Sequence, residues 1–285
     1  MNSAIKAVVT AVAILPVMLS CGGSSGRTPV THETVAGVEM VSLPGGSFQM
    51  GNDYTPGGDS AANVYRPDEQ PVHTVTLSPF MISVCEVTQE QYESVMGANP
   101  SSAKGARFPV TNLGANDAID FCNRLSEQAG LEPCYDAARV CDFAKNGFRL
   151  PTEAEWEYAC RAGTGSLFSS GNTAADLARV GWYEGNSGGT LHDVGTLEPN
   201  QWGLYDMHGN VFEMCYDGWE DSDDNGIYDR ANQTDPVNDS DFNYRIIRGG
   251  GWFSAPSECR SATRGMFWTG GGSGYLGFRL ARSVR

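Results

Sequence analysis

Glycine and proline interrupt this chain so often that long regular elements have little room to form. Its 285 residues include 35 glycines and 14 prolines, a content that favours turns and loops over a helical bundle. The hydrophobic content of 40% is enough for one large core or two small ones. From about residue 36 onward the sequence has no second linker and no repeat of fixed period, so we expect one continuous, loop-rich domain.

Short regular elements are predicted in the first half of this domain. Residues 73–87 alternate well enough for two short strands. Apolar residues at helical spacing predict a helix over 116–130, ending at Gly130. Beyond Gly163 we expect mostly short strands and long loops.

Two further helices are predicted from capping boxes, in which a threonine begins the helix and Gln or Glu follows three residues later. The two pairs are Thr88 with Gln91 and Thr152 with Glu155. Carboxylates at the start of a helix also interact favourably with its dipole. We therefore interpret Glu153, Glu155 and Glu157 as structural residues.

The N-terminus has the features of an export signal. Lys6 precedes an apolar run over 7–19 that is too short for a good membrane span, and MLSC then ends at Cys21. The small residue before this cysteine and the Gly/Ser-rich tether after it resemble the lipobox of bacterial lipoproteins, although Met18 stands where leucine is preferred. An ordinary signal peptide cleaved nearby is the alternative.

The chain is accordingly divided into a lipoprotein signal peptide over 1–20, a flexible tether over 21–36 and a folded domain over 37–285. Lipidation of Cys21 makes the membrane a partner and places the protein in the bacterial cell envelope, at the outer membrane or the periplasmic face. The formal charge of -15 excludes a nucleic-acid partner, because a phosphate backbone needs a basic face.

Cysteine usage fits an oxidising compartment. The sequence has eight cysteines, and if Cys21 carries lipid, the number left is odd, so at least one has no partner within the chain. Cys134 and Cys141 flank a short loop, and we predict a disulfide between them. A bond between Cys215 and Cys259 is a further hypothesis.

The acidic stretch over 221–229 offers oxygen ligands for a calcium ion, with Gly226 at the turn. The oxygen donors at positions 1, 3, 5 and 9 are Asp221, Asp223, Asn225 and Asp229. Position 12, where such loops usually carry glutamate, is Asn232. A solvated acidic loop is therefore an equal alternative.

Seven motifs, in this order, resemble the formylglycine-generating enzyme or sulfatase-modifying factor family over roughly residues 36–285. They are LPGGSFQMG, EVTQEQY, FPVTN, GFRLPTEAEWEYACRAGT, GLYDMHGNVFEM, RIIRGGGW and GFRLARS. The resemblance implies an α+β fold related to C-type lectins, a loop-rich single domain with little regular secondary structure.

The founding enzymes of this family use copper and oxygen to oxidise a sulfatase cysteine, and two thiolates are the soft ligands that select Cu(I). Counted from Arg248, the first copper position is Ser254 and the second is Cys259. Counted back from SATR, Cys259 falls short of either position. A hydroxyl cannot replace a thiolate, so copper is not expected and Cys259 is interpreted as a structural thiol. Phe212 and Met214 replace tryptophans of the family's substrate pocket.

The resemblance also implies a calcium site. The matching positions are Asp206, Gly209, Val211 and Glu213. Asp206 replaces an asparagine of the family and is a stronger oxygen donor for a hard cation. The alternative is that Glu213 only hydrogen-bonds backbone groups in a tight turn. A two-histidine, one-carboxylate iron site drawn from His192, Asp193 and His208 is a minor alternative.

Large aromatic residues cluster near the C-terminus between RGG and GFR. They are Trp252, Phe253, Phe267, Trp268 and Tyr275. Such residues offer a large rigid contact area, and their arrangement resembles lectin-like variable proteins diversified by retroelements. We predict a ligand-binding surface for an unknown protein or glycan, with core packing of Trp252 as the alternative.

Two main hypotheses about function follow. The first is a calcium-stabilised binding or scaffold lipoprotein without copper oxidase activity. The second is an envelope oxidoreductase or maturation factor of the formylglycine-generating type. A retroelement-diversified, lectin-like ligand-binding protein is a variant of the first.

Overall fold

The computed structural model describes residues 30–53, 64, 66–219, 233–239 and 243–284. Its first sheet joins the beginning of the domain to its end, and its strands are β1 (Thr31–Val35), β2 (Val38–Leu43), β5 (Phe80–Ser83) and β13 (Ala281–Ser283). They lie in the order β1-β2-β5-β13, and all neighbours are antiparallel. Because β1 falls inside the segment predicted as a tether, the ordered body begins before residue 37.

The second sheet brings the C-terminal motifs together. Its strands are β8 (Phe212–Gly218), β10 (Tyr244–Arg248), β11 (Gly265–Trp268) and β12 (Leu276–Gly277). They lie in the order β11-β10-β8-β12; β10 is antiparallel to both neighbours, and β12 is parallel to β8. The segments GNVFEM, RGGGW and GFR therefore lie side by side although they are far apart in sequence.

The remaining strands of the described part of the chain form two smaller sheets. One contains β3 (Gly46–Met50), β4 (His73–Leu77) and β9 (Gln233–Thr234), and the other pairs β6 (Gly181–Trp182) with β7 (His208–Gly209). The two strands predicted over 73–87 are confirmed as β4 and β5.

Four helices are present in the described part of the chain. They are α1 (Gln89–Met96), α2 (Ala115–Gln128), α3 (Glu153–Arg161) and α4 (Ala174–Val180). Both predicted capping boxes are confirmed, at the starts of α1 and α3. Beyond Gly163, where mostly short strands and long loops were expected, the structure also has α4, whose own capping box joins Thr173 and Asp176. No helix among the described residues is both long and apolar enough to cross a membrane.

The apolar side chains form two main clusters and a smaller third one. In the largest, Phe121 of α2 is fully buried between Tyr92, stacked on it at 5.3 Å, and Phe278, edge-on at 5.5 Å. The second cluster surrounds Trp156 of α3, which is also fully buried. Helix α3 packs against β8 and β10 of the second sheet and against β3 and β4.

Buried ion pairs connect α3 to the motif arginines. Isolated buried charges are costly, so such groups are normally paired. The pairs are Arg149 with Glu155 at 2.6 Å, Arg161 with Glu157 at 2.8 Å, Arg264 with Glu153 at 2.6 Å, and Arg248 with both Glu153 and Glu157. The three glutamates are therefore structural, and they act by pairing with arginines as well as by lying at a helix start.

Candidate functional site

Five aromatic side chains meet where β8, β11 and β12 approach the segment after β10. They are Phe212, Trp252, Phe253, Phe267 and Tyr275, which we call the aromatic surface. Adjacent rings have centroids 5.1 to 6.4 Å apart, mostly edge to face, an arrangement that aromatic rings favour. All five are at least partly exposed, and Phe253 is 41% exposed. A contiguous apolar patch on the surface of a folded domain indicates an interaction site.

Backbone contacts hold the central segment of the aromatic surface in place. Trp252 N donates to Asn210 O at 2.8 Å, and Ser187 Oγ donates to Trp252 O at 2.7 Å. A Cβ atom at Gly251 would lie 3.3 Å from the Phe253 ring and 3.5 Å from that of Phe212, so glycine leaves the rings room to approach the backbone.

Trp268 does not lie with the other predicted aromatic residues. Successive side chains of a strand point to opposite faces, so Phe267 faces Tyr275 whereas Trp268 and Met266 face away. Trp268 is 56% exposed and lies opposite Tyr244 on β10. The predicted set therefore divides between two faces of the sheet.

Phe212 is the member that sequence reasoning left out of the binding set. It was noted only as a replacement for a pocket tryptophan, yet its ring lies 6.2 Å from those of Phe253 and Tyr275. Its position in the family's substrate pocket was the available signal. Met214, the other replacement, is buried in the largest cluster.

Ser254 and Cys259 are both fully buried. Ser254 Oγ accepts a hydrogen bond from Gly251 N at 3.2 Å, closing a local turn. Cys259 packs in the third cluster with Phe168 and Tyr183, and burial raises the pKa of its thiol. Since the thiolate is the form that binds metals, these surroundings are those of a structural thiol.

The predicted calcium positions lie on the loop from Asp206 to the first residues of β8. Glu213 is fully buried, and both of its oxygens accept from Arg279, at 2.5 and 2.6 Å. Trp156 Nε1 donates to the same carboxylate at 2.8 Å. The donors to Glu213 are thus side chains, and not the backbone groups of a tight turn.

Asp206 has different surroundings. Its Oδ2 accepts from Gly195 N at 2.7 Å, whereas its buried Oδ1 has no hydrogen-bond partner. Burial raises the pKa of Asp206 to about 6. A buried carboxylate oxygen without a donor is the arrangement that a bound cation would stabilise.

Glu86 lies beside this loop and was not predicted as a site residue. It is buried, and it accepts from Asn210 Nδ2 at 2.9 Å and from Val211 N at 3.3 Å. Burial, followed by the charges of Asp206 and Glu213, raises its pKa well above the usual range. Its place in the EVT motif carried no signal of these hydrogen bonds, since 124 positions separate Glu86 from Asn210.

Other predicted ligands are not described or are not assembled into a metal site. Cys21 and the acidic loop residues Asp221, Asp223, Asn225 and Asp229 lie outside the described residues. Among the residues that are described, no three His, Cys, Asp or Glu side chains are grouped closely enough to hold a metal ion by themselves.

The histidines of the iron hypothesis are engaged in other contacts. His208 is buried, with Nδ1 2.8 Å from Cys259 O and Nε2 accepting from Ser169 N at 3.0 Å. His192 stacks on Trp182 at 3.7 Å, and its Nε2 lies 2.7 Å from Ser187 O.

The two predicted cysteine pairs differ in whether the structure brings their members together. Cys134 and Cys141 are thiols in the structure, but they hydrogen-bond each other, and this contact lowers the pKa of Cys134. Their disulfide therefore stays a prediction. Cys215 lies in the second cluster and Cys259 in the third, so the structure does not bring this pair together.

These features define an α+β protein of the formylglycine-generating-enzyme fold, related to C-type lectins. The chain belongs to the family described as sulfatase-modifying factor enzyme 1-like domain, whose model matches residues 26–284.

Three relatives illustrate the range of this family. The chain is 33% identical to the chaperone protein LppX of Paenibacillus barcinonensis, over 93% of this chain and 94% of that protein. It is 30% identical to the formylglycine-generating enzyme of Streptomyces coelicolor, over 86% and 89% of the two chains. The solved structure of Treponema denticola variable protein 1 is 34% identical with a TM-score of 0.76, covering 90% of this chain and all of that one.

Proposed function

We propose that this chain is a lipid-anchored, calcium-stabilised binding protein of the bacterial cell envelope, which holds an apolar segment of another protein on the aromatic surface. The observation that carries the proposal is the contact of five partly exposed rings, drawn from separate segments along the second sheet. Rings of this kind supply contact area with little loss of conformational entropy.

A protein ligand is favoured over a glycan by two considerations. The recorded contacts within the aromatic surface are ring to ring, which suits apolar side chains. A relative of similar length is described as a chaperone protein. Diversification of this surface by a retroelement is a further proposal, which a near-copy of the C-terminal coding region beside a reverse transcriptase gene would support.

Copper-dependent oxidation is the alternative that the family raises. It is disfavoured because Ser254 offers a hydroxyl in place of a thiolate, and because burial keeps the Cys259 thiol protonated.

The calcium part of the proposal is supported by the donor set around Asp206. A hard cation takes carboxylate and carbonyl oxygens, and Asp206 offers a buried oxygen without a donor. Bound calcium would neutralise this carboxylate and hold the loop that leads into Phe212 of the aromatic surface.

The binding function is tested with reduced, carboxymethylated α-lactalbumin, a soluble unfolded protein, as the probe. The full chain is placed in lipid nanodiscs, and empty nanodiscs serve as the blank. We expect saturable binding by the unaltered chain and a loss of affinity of at least about tenfold on combined Phe253→Ala and Tyr275→Ala substitution.

Trp268→Ala is the matched control, because Trp268 is a large aromatic residue that is even more exposed, at 56% against 41% for Phe253, but faces away from the aromatic surface. Its affinity for the probe is expected to stay within about twofold. Absence of saturable binding, or an equal loss in the control, contradicts the proposal; binding of an envelope polysaccharide in place of the probe would establish the glycan alternative.

A further inference from the structure

A cleft lies between the turn that joins β1 to β2 and the helices α1 and α2. It consists of two adjoining cavities with volumes of about 360 and 240 Å³. Five residues line both cavities, which are therefore compartments of one cleft: Gly37, Val38, Thr88, Gln91 and Arg107. Among the described residues that line the cleft, none belongs to the aromatic surface. The cleft is thus a separate feature of the molecule.

The larger compartment has an apolar floor. Phe121 and Leu125 of α2 line it and belong to the largest core cluster, and Val95 of α1 packs against the same cluster. Glu90 and Ser94 line the same compartment and are exposed, so it opens to solvent. An apolar group of a bound molecule would leave water on entering this compartment, which is favourable.

The smaller compartment carries two opposite charges that are not paired. Arg107 is exposed and donates to Val194 O at 2.8 Å. Glu86 is buried and accepts from Asn210 Nδ2 at 2.9 Å and from Val211 N at 3.3 Å, which are neutral donors. Among the described residues neither Arg107 nor Glu86 forms an ion pair. Both charges are therefore available to a ligand.

These charges define the chemistry that the cleft can recognise. A guanidinium with free N–H groups suits a carboxylate, and a buried carboxylate without a counter-ion is stabilised by an ammonium group. Glu39 also lines the smaller compartment, but its carboxylate is exposed, where a charge pair contributes little. A ligand that satisfies Arg107 and Glu86 together is a zwitterion.

We propose that the cleft binds a free apolar α-amino acid such as leucine or phenylalanine. Its carboxylate would pair with Arg107, its ammonium group with Glu86, and its side chain would enter the larger compartment. Arg107 lines both compartments, so the charged groups of the ligand lie where the two compartments join. The volume of the larger compartment is within the range of small-molecule sites.

The test is isothermal calorimetry with L-leucine and L-phenylalanine on the full chain in nanodiscs, with empty nanodiscs as the blank. We expect saturable binding with a dissociation constant below about 1 mM. Glycine keeps both charged groups but has no side chain for the apolar compartment. Its binding is expected to be at least about tenfold weaker than that of leucine.

Two analogues of leucine test the charged groups one at a time. 4-Methylpentanoate lacks the ammonium group, and 3-methylbutylamine lacks the carboxylate. Each is expected to bind at least about tenfold more weakly than leucine, because one charge of the cleft is left without its partner. NMR titration measures these weaker affinities.

Variants assign each charge to its residue. Arg107→Gln is expected to weaken leucine binding at least about tenfold and to leave 3-methylbutylamine within about twofold, since this analogue has no carboxylate. Glu86→Gln should weaken leucine equally and leave 4-methylpentanoate unchanged. Arg179→Gln and Glu93→Gln are the controls, because they remove the same charges at exposed positions outside the cleft.

The outcomes decide the proposal. It is overturned if neither amino acid binds saturably, if 4-methylpentanoate or 3-methylbutylamine binds as tightly as leucine, or if Arg107→Gln binds leucine as the unaltered chain does. If Glu86→Gln does not fold, the comparison of leucine with 4-methylpentanoate on the unaltered chain still tests recognition of the ammonium group.

Discussion

Phe253 meets Tyr275 edge to face with ring centroids 5.1 Å apart, although 22 positions separate them in the chain. Tyr275 packs against the largest cluster, and Phe253, which is 41% exposed, lies on its outer side. The aromatic surface is therefore an ordered group of rings in contact with one another, and not a set of scattered apolar residues. Removing a ring from the aromatic surface should therefore cost less free energy of unfolding than removing a ring from the core.

Phe253→Ala is expected to cost about 1 kcal/mol or less in the free energy of unfolding, because its ring is 41% exposed. Phe121→Ala, which removes a fully buried ring, is expected to cost about 3–5 kcal/mol. Urea denaturation of both variants measures the difference. Equal costs would show that Phe253 belongs to the core and not to a surface.

Arg279→Met is expected to destabilise the fold by about 3–5 kcal/mol, since it leaves Glu213 buried without its counter-ion. Adding Glu213→Gln to this variant should recover part of the loss, because the amide oxygen still accepts from Trp156. Urea denaturation in chelator measures both variants without a contribution from calcium. A loss below about 1 kcal/mol, or no recovery, contradicts the pairing.

Asp217 predicts a fall in stability as the pH rises through neutrality. Burial, followed by the charge of Glu153, raises its pKa from 3.8 to about 7. Because the pKa is raised in the folded state, its contribution to stability is complete below about pH 3.8 and is lost as the pH rises through about 7. We expect a fall of about 1 kcal/mol in the free energy of unfolding between about pH 6.5 and pH 8.

The pH window is chosen to exclude His208, whose pKa burial lowers from 6.5 to about 4. The stability that His208 contributes is lost only as the pH falls below its unfolded value, so it is already complete above 6.5. Asp217→Asn should reduce the fall measured by urea denaturation. An undiminished fall in this variant assigns the effect to another group.

Cys21→Ser is expected to release the protein from the membrane fraction, because the lipid chains that anchor it would no longer be attached. Cell fractionation followed by immunoblotting measures the distribution. Cys85→Ser, at a half-buried thiol in the folded domain, is the control and should stay with the membrane. Continued membrane association of Cys21→Ser would remove the lipoprotein prediction.

Features that depend on residues close together in the sequence could be predicted, whereas contacts between distant segments could not. Capping boxes at Thr88 and Thr152 are local signals and were predicted correctly, and the same signal at Thr173 was present but overlooked. The motif order led to the right family because those segments supply the buried Arg–Glu pairs of the scaffold.

Contacts between distant segments were not predictable in the same way. Nothing near Glu86 in sequence indicates its hydrogen bonds with Asn210 and Val211, since only the folded chain brings the EVT motif to the loop before β8. The separation of Phe267 from Trp268 depended on strand alternation, which requires β11 to be placed first.

The most direct test of the account is Cu(I) binding by the full chain, by competition with bicinchoninate, together with oxygen consumption in the presence of a sulfatase-type cysteine peptide. The account predicts no tight, stoichiometric copper site and no peptide-dependent oxygen consumption, because Ser254 supplies no thiolate and Cys259 is buried. Stoichiometric copper with oxygen turnover would contradict it and identify the protein as an oxidase.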